Sequence, residues 1–504
     1  MRAGTGAEGA ARSEAVDAAR PGGAGGARSA DAIVVGSGPN GLAAAVTLAR
    51  AGLTVDVIEG ADTPGGGCRT EELTLPGFCH DVCSAVHPLA AASPFFLRTD
   101  LAAHGVVLRT PKVAFAHPLD GGRAAAVAGS VEQTAGGLGR DGGAYRRLLG
   151  PLVRDAELTV PTILAPLRSV PRHPLAMARF GVRGILPAAL LARRFHTEEA
   201  RALLAGVSAH AMRPLSSPVT GAFGLLLTMT AHNVGWPVVE GGSARITDAL
   251  VAELTSLGGR VETGRWVRSL GDLPPARAVL LDVTARQLAA IAGDRLPAGY
   301  RRSLESFRYG PGVCKVDWAL SGPVPWQAPA CREAGTVHLG GTLAEVAHSE
   351  SEVAADRLPD RPYCIVAQPG VVDPTRAPAG SATLWAYCQV PAGSGEDASG
   401  LVEAQIERFA PGFRDLISAK TVRTAVDMER HNPNYVGGDI NSGAGTLLQT
   451  VFRPTPRWNP YRTPIAGVYL CSSSTPPGGG VHGMCGETAA RAALADLGVH
   501  PSVE

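Results

Sequence analysis

A chain of 504 residues is too long for one small core and suits two intertwined domains. Its 46 basic and 45 acidic residues leave a net charge of +1, which gives no charge-driven attraction to nucleic acid. Nine scattered cysteines, with Cys79 and Cys83 the one close pair, complete neither a zinc site nor a CxxC redox pair and read as reduced cytoplasmic thiols.

Residues 1–30 are Ala-, Gly- and Arg-rich and carry Glu8, Glu14 and Asp17. They fit neither a secretory signal nor an acid-poor transit peptide and read as a disordered tail. The organising stretch follows at 31–70. An apolar run at 32–35 reads as a buried parallel strand, and Gly36, Gly38 and Gly41 then give a G-x-G-x-x-G spacing. An Ala/Leu-rich helix over 42–51 stops at Gly52, and a strand over 54–58 ends in Glu59. Glycine is 63 of 504 residues, so the spacing alone is expected by chance about once. The weight falls on its context: a strand before, a helix after, and an acid at the next strand end. Gly36 permits the tight turn, Gly38 lets backbone approach a pyrophosphate, and Gly41 lets the helix pack closely on the sheet. Phosphates are favoured at the helix N-terminus, and Glu59 can accept from ribose hydroxyls. The unit predicts dinucleotide binding. A second glycine cluster, Gly65, Gly66 and Gly67, follows with Arg69 and Thr70.

Residues 71–88 read as a strand, a turn at Pro76-Gly77, and a loop with His80, Asp81 and His87. The first two are either a polar pair beside the site or satisfied loop residues. From 136 to 195 the pattern is helical and punctuated by proline. Within 158–197 lie Arg168, Arg172, Arg179, Arg183, Arg193 and Arg194, with no acid. Two readings stand: a surface resting on an anionic membrane or a partner, or a helix pair with snorkelling arginines. Residues 219–239 lack formal charge and are long enough to span a bilayer. Gly221, Gly224, His232, Asn233 and Pro237 interrupt them, which favours a buried helix lining an apolar substrate cavity.

A helix follows from 244, capped by Ser243 and stopped at Gly258-Gly259, then strands at 260–262 and 265–267. The strand 279–283, with Asp282, returns to the first sheet. Alternating runs at 313–320, 336–339, 363–368 and 383–390, with Trp318, Trp385 and Tyr387, predict a mixed or antiparallel sheet carrying the substrate cavity. A helix over 402–409 stops at Pro411-Gly412. At the end of the chain come a strand (467–471), a glycine-rich loop (472–486) and a helix (487–497).

DAIVVGSGPNGL, GGGCRTEELTLPGF, HNPNYVGGDINSG (431–443) and YRTPIAGVYLCSSSTPPGGGVHGMCG (461–486) resemble the phytoene desaturase-like flavoproteins. The likeness is to the NAD(P)/FAD-dependent oxidoreductase branch, which includes the pyridine nucleotide-disulfide oxidoreductase domain-containing proteins, and runs over residues 31–495. It implies an α/β fold: a discontinuous FAD-binding Rossmann-type domain, glutathione reductase-like or amine oxidase-like, with an inserted α+β substrate domain. The expected division is a tail at 1–30, FAD-binding segments at 31–135, 236–300 and 431–497, a helical insertion at 136–235 and a substrate sheet at 301–430. The implied cofactor is FAD and no metal. Its contacts fall on Gly36, Ser37, Gly38, Pro39, Asn40, Gly41, Glu59, Gly65, Gly66, Gly67, Arg69, Thr70, Val267, Ser472, Val481 and Met484. Two departures stand out: Gly67 lies where amine oxidases usually carry Arg, and Ser472-Ser473 replace a common Gly-Asp pair.

The N-terminus of the last helix, near 484–488, is expected to point at the flavin N1–C2=O edge, where its dipole stabilises the reduced ring. The implied activity is hydride removal from an apolar or polyunsaturated small molecule to flavin N5, or its isomerisation. Alternatives are an amine or amino-acid oxidase, for which Cys485 is a minor candidate to carry covalent flavin, and a low-turnover flavoprotein acting through a protein or membrane partner. No second strand–GxGxxG–helix unit is present, so electrons are expected to leave to oxygen, a quinone or a transiently bound NAD(P). No catalytic base is named, although His431, Asn434 and Tyr435 lie in the segment expected to face the ring.

Overall fold

The structure, a computed structural model, describes residues 30–166 and 171–499, so the predicted tail (apart from Ala30) and Arg168 lie outside the described residues. Two sheets are built from β1 (Ala32–Val35), β2 (Val55–Ile58), β3 (Val113–Leu119), β4 (Arg123–Ala128), β5 (Arg260–Glu262), β6 (Ala278–Leu281), β7 (Gly312–Leu320), β8 (Ala334–Leu339), β9 (Cys364–Ala367), β10 (Ala382–Val390), β11 (Ile417–Arg423) and β12 (Val468–Leu470). The helices that position the site are α1 (Pro39–Arg50), α2 (Thr220–Asn233), α3 (Ala244–Ser256), α4 (Ser399–Phe409) and α5 (Met484–Leu497).

The five-stranded sheet runs β12-β6-β1-β2-β5, with every pairing parallel. Its strands are short, and all but the exposed edge strand β5 are buried, which is why those four are nearly all apolar. Helix α1 begins with Pro39, where a missing N–H costs nothing, and buries its run of alanines against α3 and α5. The α1–α5 crossing is so close that a Cβ on Gly486 would fall 1.8 Å from the Asn40 carbonyl oxygen. The two ends of the chain therefore meet on one face of this sheet. The other face carries Leu288, Tyr300 and Leu304 from the helices after β6.

The seven-stranded sheet runs β11-β7-β10-β9-β8-β3-β4 and is antiparallel except for β8 with β3. Side chains alternate across it. Cys314, Val316 and Trp318 of β7, with Leu384 and Ala386 of β10, face an apolar core shared with Val402, Ile406 and Phe409 of α4. Lys315, Asp317, Trp385 and Gln389 fall on the opposite face and are nevertheless buried.

Several expectations are corrected. Residues 113–128, assigned from sequence to the first FAD-binding segment, form β3 and β4 and complete the larger sheet, through a pairing with β8 that no local pattern announces. Residues 265–267 are not a strand: the Arg265 N–H bonds the Glu59 carbonyl and the chain turns over the first sheet's end. Ser243 does not cap α3 with its side chain; its hydroxyl bonds the Ser84 carbonyl and lies 2.9 Å from His87 Nε2. The charge-free run 219–239 supplies α2 and then Val238–Val239, which pairs with Leu108–Arg109. Among the described residues no single helix is long and apolar enough to cross a membrane; the pair Pro174–Gly184 and Ala188–Arg194, bent by 94°, passes by length and composition together.

Candidate functional site

A cavity of about 430 Å³ opens at the carboxyl ends of β1, β2 and β6, the place where parallel sheets of this kind bind ligands. Gly36, Gly38, Pro39, Asn40, Glu59, Gly66, Gly67, Arg69, Val267 and Ser472 line it. Ser37, Gly41, Gly65, Thr70, Val481 and Met484 do not. His431 and Asn434 line it as well.

The strand–turn–helix geometry accounts for the glycines. A Cβ on Gly41 would lie 2.1 Å from the Gly36 carbonyl oxygen, and one on Gly66 would lie 2.9 Å from Gly38 Cα. The two glycine turns therefore touch backbone to backbone, and both face the cavity. Glu59 is fixed from within: Oε2 accepts from the Ser37 N–H at 2.8 Å and from its hydroxyl at 2.6 Å, and Oε1 accepts from the Ala61 N–H at 2.9 Å. Arg69 donates to the Thr63 carbonyl at 2.7 Å and stands 3.7 Å from Glu59. Asn40 Nδ2 donates to the Ser473 hydroxyl at 3.2 Å, tying α1 to the loop after β12. That loop is held from behind by buried Arg453, which donates to the carbonyls of Ser442 and Ser473 at 3.1 and 2.9 Å.

The residues outside the cavity have structural work. Thr70 donates to Asp81 at 3.0 Å and accepts from the Ala244 N–H at 3.1 Å. Met484 gives its N–H to His482 Nδ1 at 3.1 Å, Gly483 packs against Phe95, and neither residue lines the cavity. Cys485 is buried, bonded to the carbonyls of Thr475 and Gly478, with its thiol pushed up by burial to about 11. His80 and Asp81 do not pair with each other. His80 sits 2.8 Å from the Thr74 hydroxyl and 3.6 Å from Asp317, and burial holds it at about 4. Asp81 joins Asp373 around fully buried Arg376, at 2.9 and 2.7 Å. Tyr435 lies under the second glycine turn, where a Cβ on Gly67 would meet its hydroxyl at 2.8 Å.

Sequence reasoning did not single out two groups at the site and one buried pair away from it. Asp282 follows β6, lines the cavity and accepts from the Gly41 N–H at 2.9 Å; its position at a strand's carboxyl end was the available signal. Trp266, 55 % exposed, lies so close over Gly60 that a Cβ there would come within 2.6 Å of its ring. Lys315 and Asp317 form a buried pair at 2.6 Å on the inner face of the larger sheet, with the ammonium 5.4 Å from the Trp385 ring.

Asn40 Oδ1, Arg69 Nε and His431 Nε2 are buried polar atoms without a hydrogen-bond partner, and all belong to residues lining the cavity. Such atoms are costly unless a ligand or water meets them. The donor set, two backbone turns, a helix N-terminus and a strand-end carboxylate, suits a phosphate- and ribose-bearing ligand. Among the described residues no cluster of His, Cys, Asp and Glu could hold a metal ion.

Residues 34–95 match the model of the NAD(P)-binding Rossmann-like domain. Over 549 aligned residues the chain is 27% identical to the pyridine nucleotide-disulfide oxidoreductase domain-containing protein 2 of Rattus norvegicus, covering 93% of this chain and 94% of that one. Over 143 residues it is 35% identical to the 4,4'-diapolycopen-4-al dehydrogenase of Metabacillus indicus, covering 27% and 28% of the two chains. A solved structure of a putrescine oxidase triple mutant superposes with a TM-score of 0.59 at 19% identity, over 93% of this chain and 98% of that one, a likeness of fold. The chain thus carries an NAD(P)-binding Rossmann-like domain and is homologous, over nearly its whole length, to the pyridine nucleotide-disulfide oxidoreductase domain-containing proteins.

Proposed function

We propose that the chain is an FAD-dependent oxidoreductase that takes hydride from an apolar or polyunsaturated small molecule. The observation that carries this reading is the second glycine turn: Gly66 lies against Gly38, so two backbone turns face one cavity whose far wall is Ser472 and Ser473. Glu59 is placed to accept from a ribose, the first turn of α1 to face a diphosphate, and the two serines to meet a ribityl chain through hydroxyl or backbone. Bound there, an isoalloxazine ring supplies two-electron, hydride-accepting chemistry. The protein's part is to orient a C–H bond and exclude water. The apolar substrate class draws support from α2, whose Phe223, Leu226 and Leu227 stay only half-buried, and from the 4,4'-diapolycopen-4-al dehydrogenase among the relatives. The acceptor is then oxygen, a quinone or a transiently bound NAD(P).

A second reading, oxidation of an amine, is favoured by one observation: Trp385 and Tyr387 stack on the inner sheet face, 5.7 Å apart and 21° from parallel. One experiment sorts these readings. The purified protein is expected to be yellow and to release FAD on heating. After anaerobic photoreduction, oxygen, a quinone and NAD⁺ are added in turn, and the acceptor that restores the oxidised spectrum fastest is the physiological class. Substrate panels of polyenes and amines then divide the two. A folded sample that stays colourless and ignores added FAD overturns both.

A further inference from the structure

The cavity contains a carboxyl group that the dinucleotide reading leaves without a task. Asp282 Oδ2 lies 2.9 Å from the Gly41 N–H, within the first turn of α1, and 2.9 Å from where a Cβ on Gly38 would sit. It therefore stands at the same helix N-terminus that is suited to a diphosphate. Glu59 occupies the neighbouring strand end. A diphosphate arriving here adds two negative charges to a cleft whose lining already holds two carboxyl groups; of the arginines that also line it, Arg69 is turned to Thr63 and Glu59, Arg265 is paired with Glu262, and Arg268 is exposed.

We propose that Asp282 takes up a proton as the dinucleotide seats, so that cofactor capture by this chain is proton-linked and weakens as pH rises. The inference rests on the FAD reading of the cavity. Protonation changes what the side chain offers: one oxygen keeps the Gly41 N–H, and the other gains a hydrogen it can donate to an anionic oxygen. Burial, reinforced by Glu59, already pushes the Asp282 carboxyl up to about 7, so the proton is available near neutrality.

The surroundings leave few rivals for that proton. From β2 the group facing Asp282 is Glu59. The thiols of Cys471, after β12, and Cys485, on α5, are both pushed up by burial and stay neutral. Helix α1 contributes Asn40 and backbone N–H groups. The 431–434 segment contributes Asn434, 3.5 Å from the Asp282 carbonyl oxygen, and His431, which burial holds at about 4 and therefore uncharged. Arg69 is turned to Thr63 and Glu59.

The test uses FAD itself as the probe, with the cofactor-stripped full chain, by flavin fluorescence between pH 6 and 9. For the native chain Kd is expected to weaken by about tenfold per pH unit above about pH 7. Asp282→Asn, which cannot gain a proton, is expected to bind with a flat profile. Glu59→Gln should weaken binding at every pH and keep the slope. Calorimetry at pH 8 in two buffers of different ionisation enthalpy should count about one proton taken up per FAD by the native chain and none by Asp282→Asn. A flat native profile, or a slope that survives in Asp282→Asn, overturns the inference and leaves the flavin reading standing. Failure to bind FAD at any pH overturns the flavin reading and this inference with it. If Asp282→Asn does not fold, the proton count of the native chain decides alone, and a count of zero overturns the proposal.

Discussion

The cradle formed by the two glycine turns and the inner face of the seven-stranded sheet both bury polar groups, and they differ in how charge is matched and in what those groups border. In the cradle, Asn40, Arg69 and His431 each keep a buried polar atom without a partner. On the larger sheet the buried polar side chains include a closed ion pair, Lys315 with Asp317 at 2.6 Å, and neutral pairs, Trp236 with Thr336 at 2.8 Å and His210 with His338 at 2.9 Å, although Trp385 Nε1, Thr383 Oγ1 and His338 Nδ1 also lack a partner. A partly unsatisfied network is costly in isolation, whereas a satisfied one specifies a single packing. The difference is that the cradle's unpartnered atoms belong to residues lining an open cavity, whereas on the sheet face the two opposite charges close on each other.

The comparison can be broken from the sheet side first, where the largest effect is expected. Lys315→Met leaves Asp317 as an unpaired buried carboxylate and should cost about 3–5 kcal/mol of stability in denaturant unfolding. The double change Lys315→Met with Asp317→Leu should recover most of that loss. A neutral single variant would show that the pair is not matched in the way described. In the cradle, Gly41→Ala drives a methyl to 2.1 Å from the Gly36 carbonyl oxygen. It should cost about 1–3 kcal/mol and strip FAD from the purified protein, read as unfolding midpoint and flavin content. Retained flavin with an unshifted midpoint would mean that the turn is looser than it stands. The smallest effect is expected for Glu59→Gln, which keeps one acceptor oxygen. Its amide must then face the Ser37 or the Ala61 N–H, so stability should fall by about 1 kcal/mol while FAD affinity falls about tenfold, measured by denaturant unfolding and fluorescence titration.

These two regions also differ in how far they could be read from sequence. The cradle is local: Gly36, Gly38, Gly41 and Glu59 lie within one βαβ unit, and each residue type follows from backbone geometry. The strands β7 and β10 are legible too, because side chains alternate along them. What escaped depends on distant partners. β3 and β4 join the larger sheet only through β8. Thr70 carries a motif expected at the cofactor but is engaged by Asp81 and α3. Val481 and Met484 flank a turn in which the Met484 N–H is taken by His482 and Gly483 packs on Phe95. Asp282 was visible as a strand residue, yet its role follows only from the approach of β6 to the first glycine turn.

The meeting of α1 and α5 has a consequence for biosynthesis. Gly486 must slide against Asn40, and Ser473 must reach the Asn40 amide, before the cavity has its far wall. A nascent chain exposes its glycine turns early but lacks that wall until translation has passed residue 486. On the proposed FAD reading, a polypeptide cut short before Ser472 would lack the cavity's far wall and should retain the nucleotide poorly.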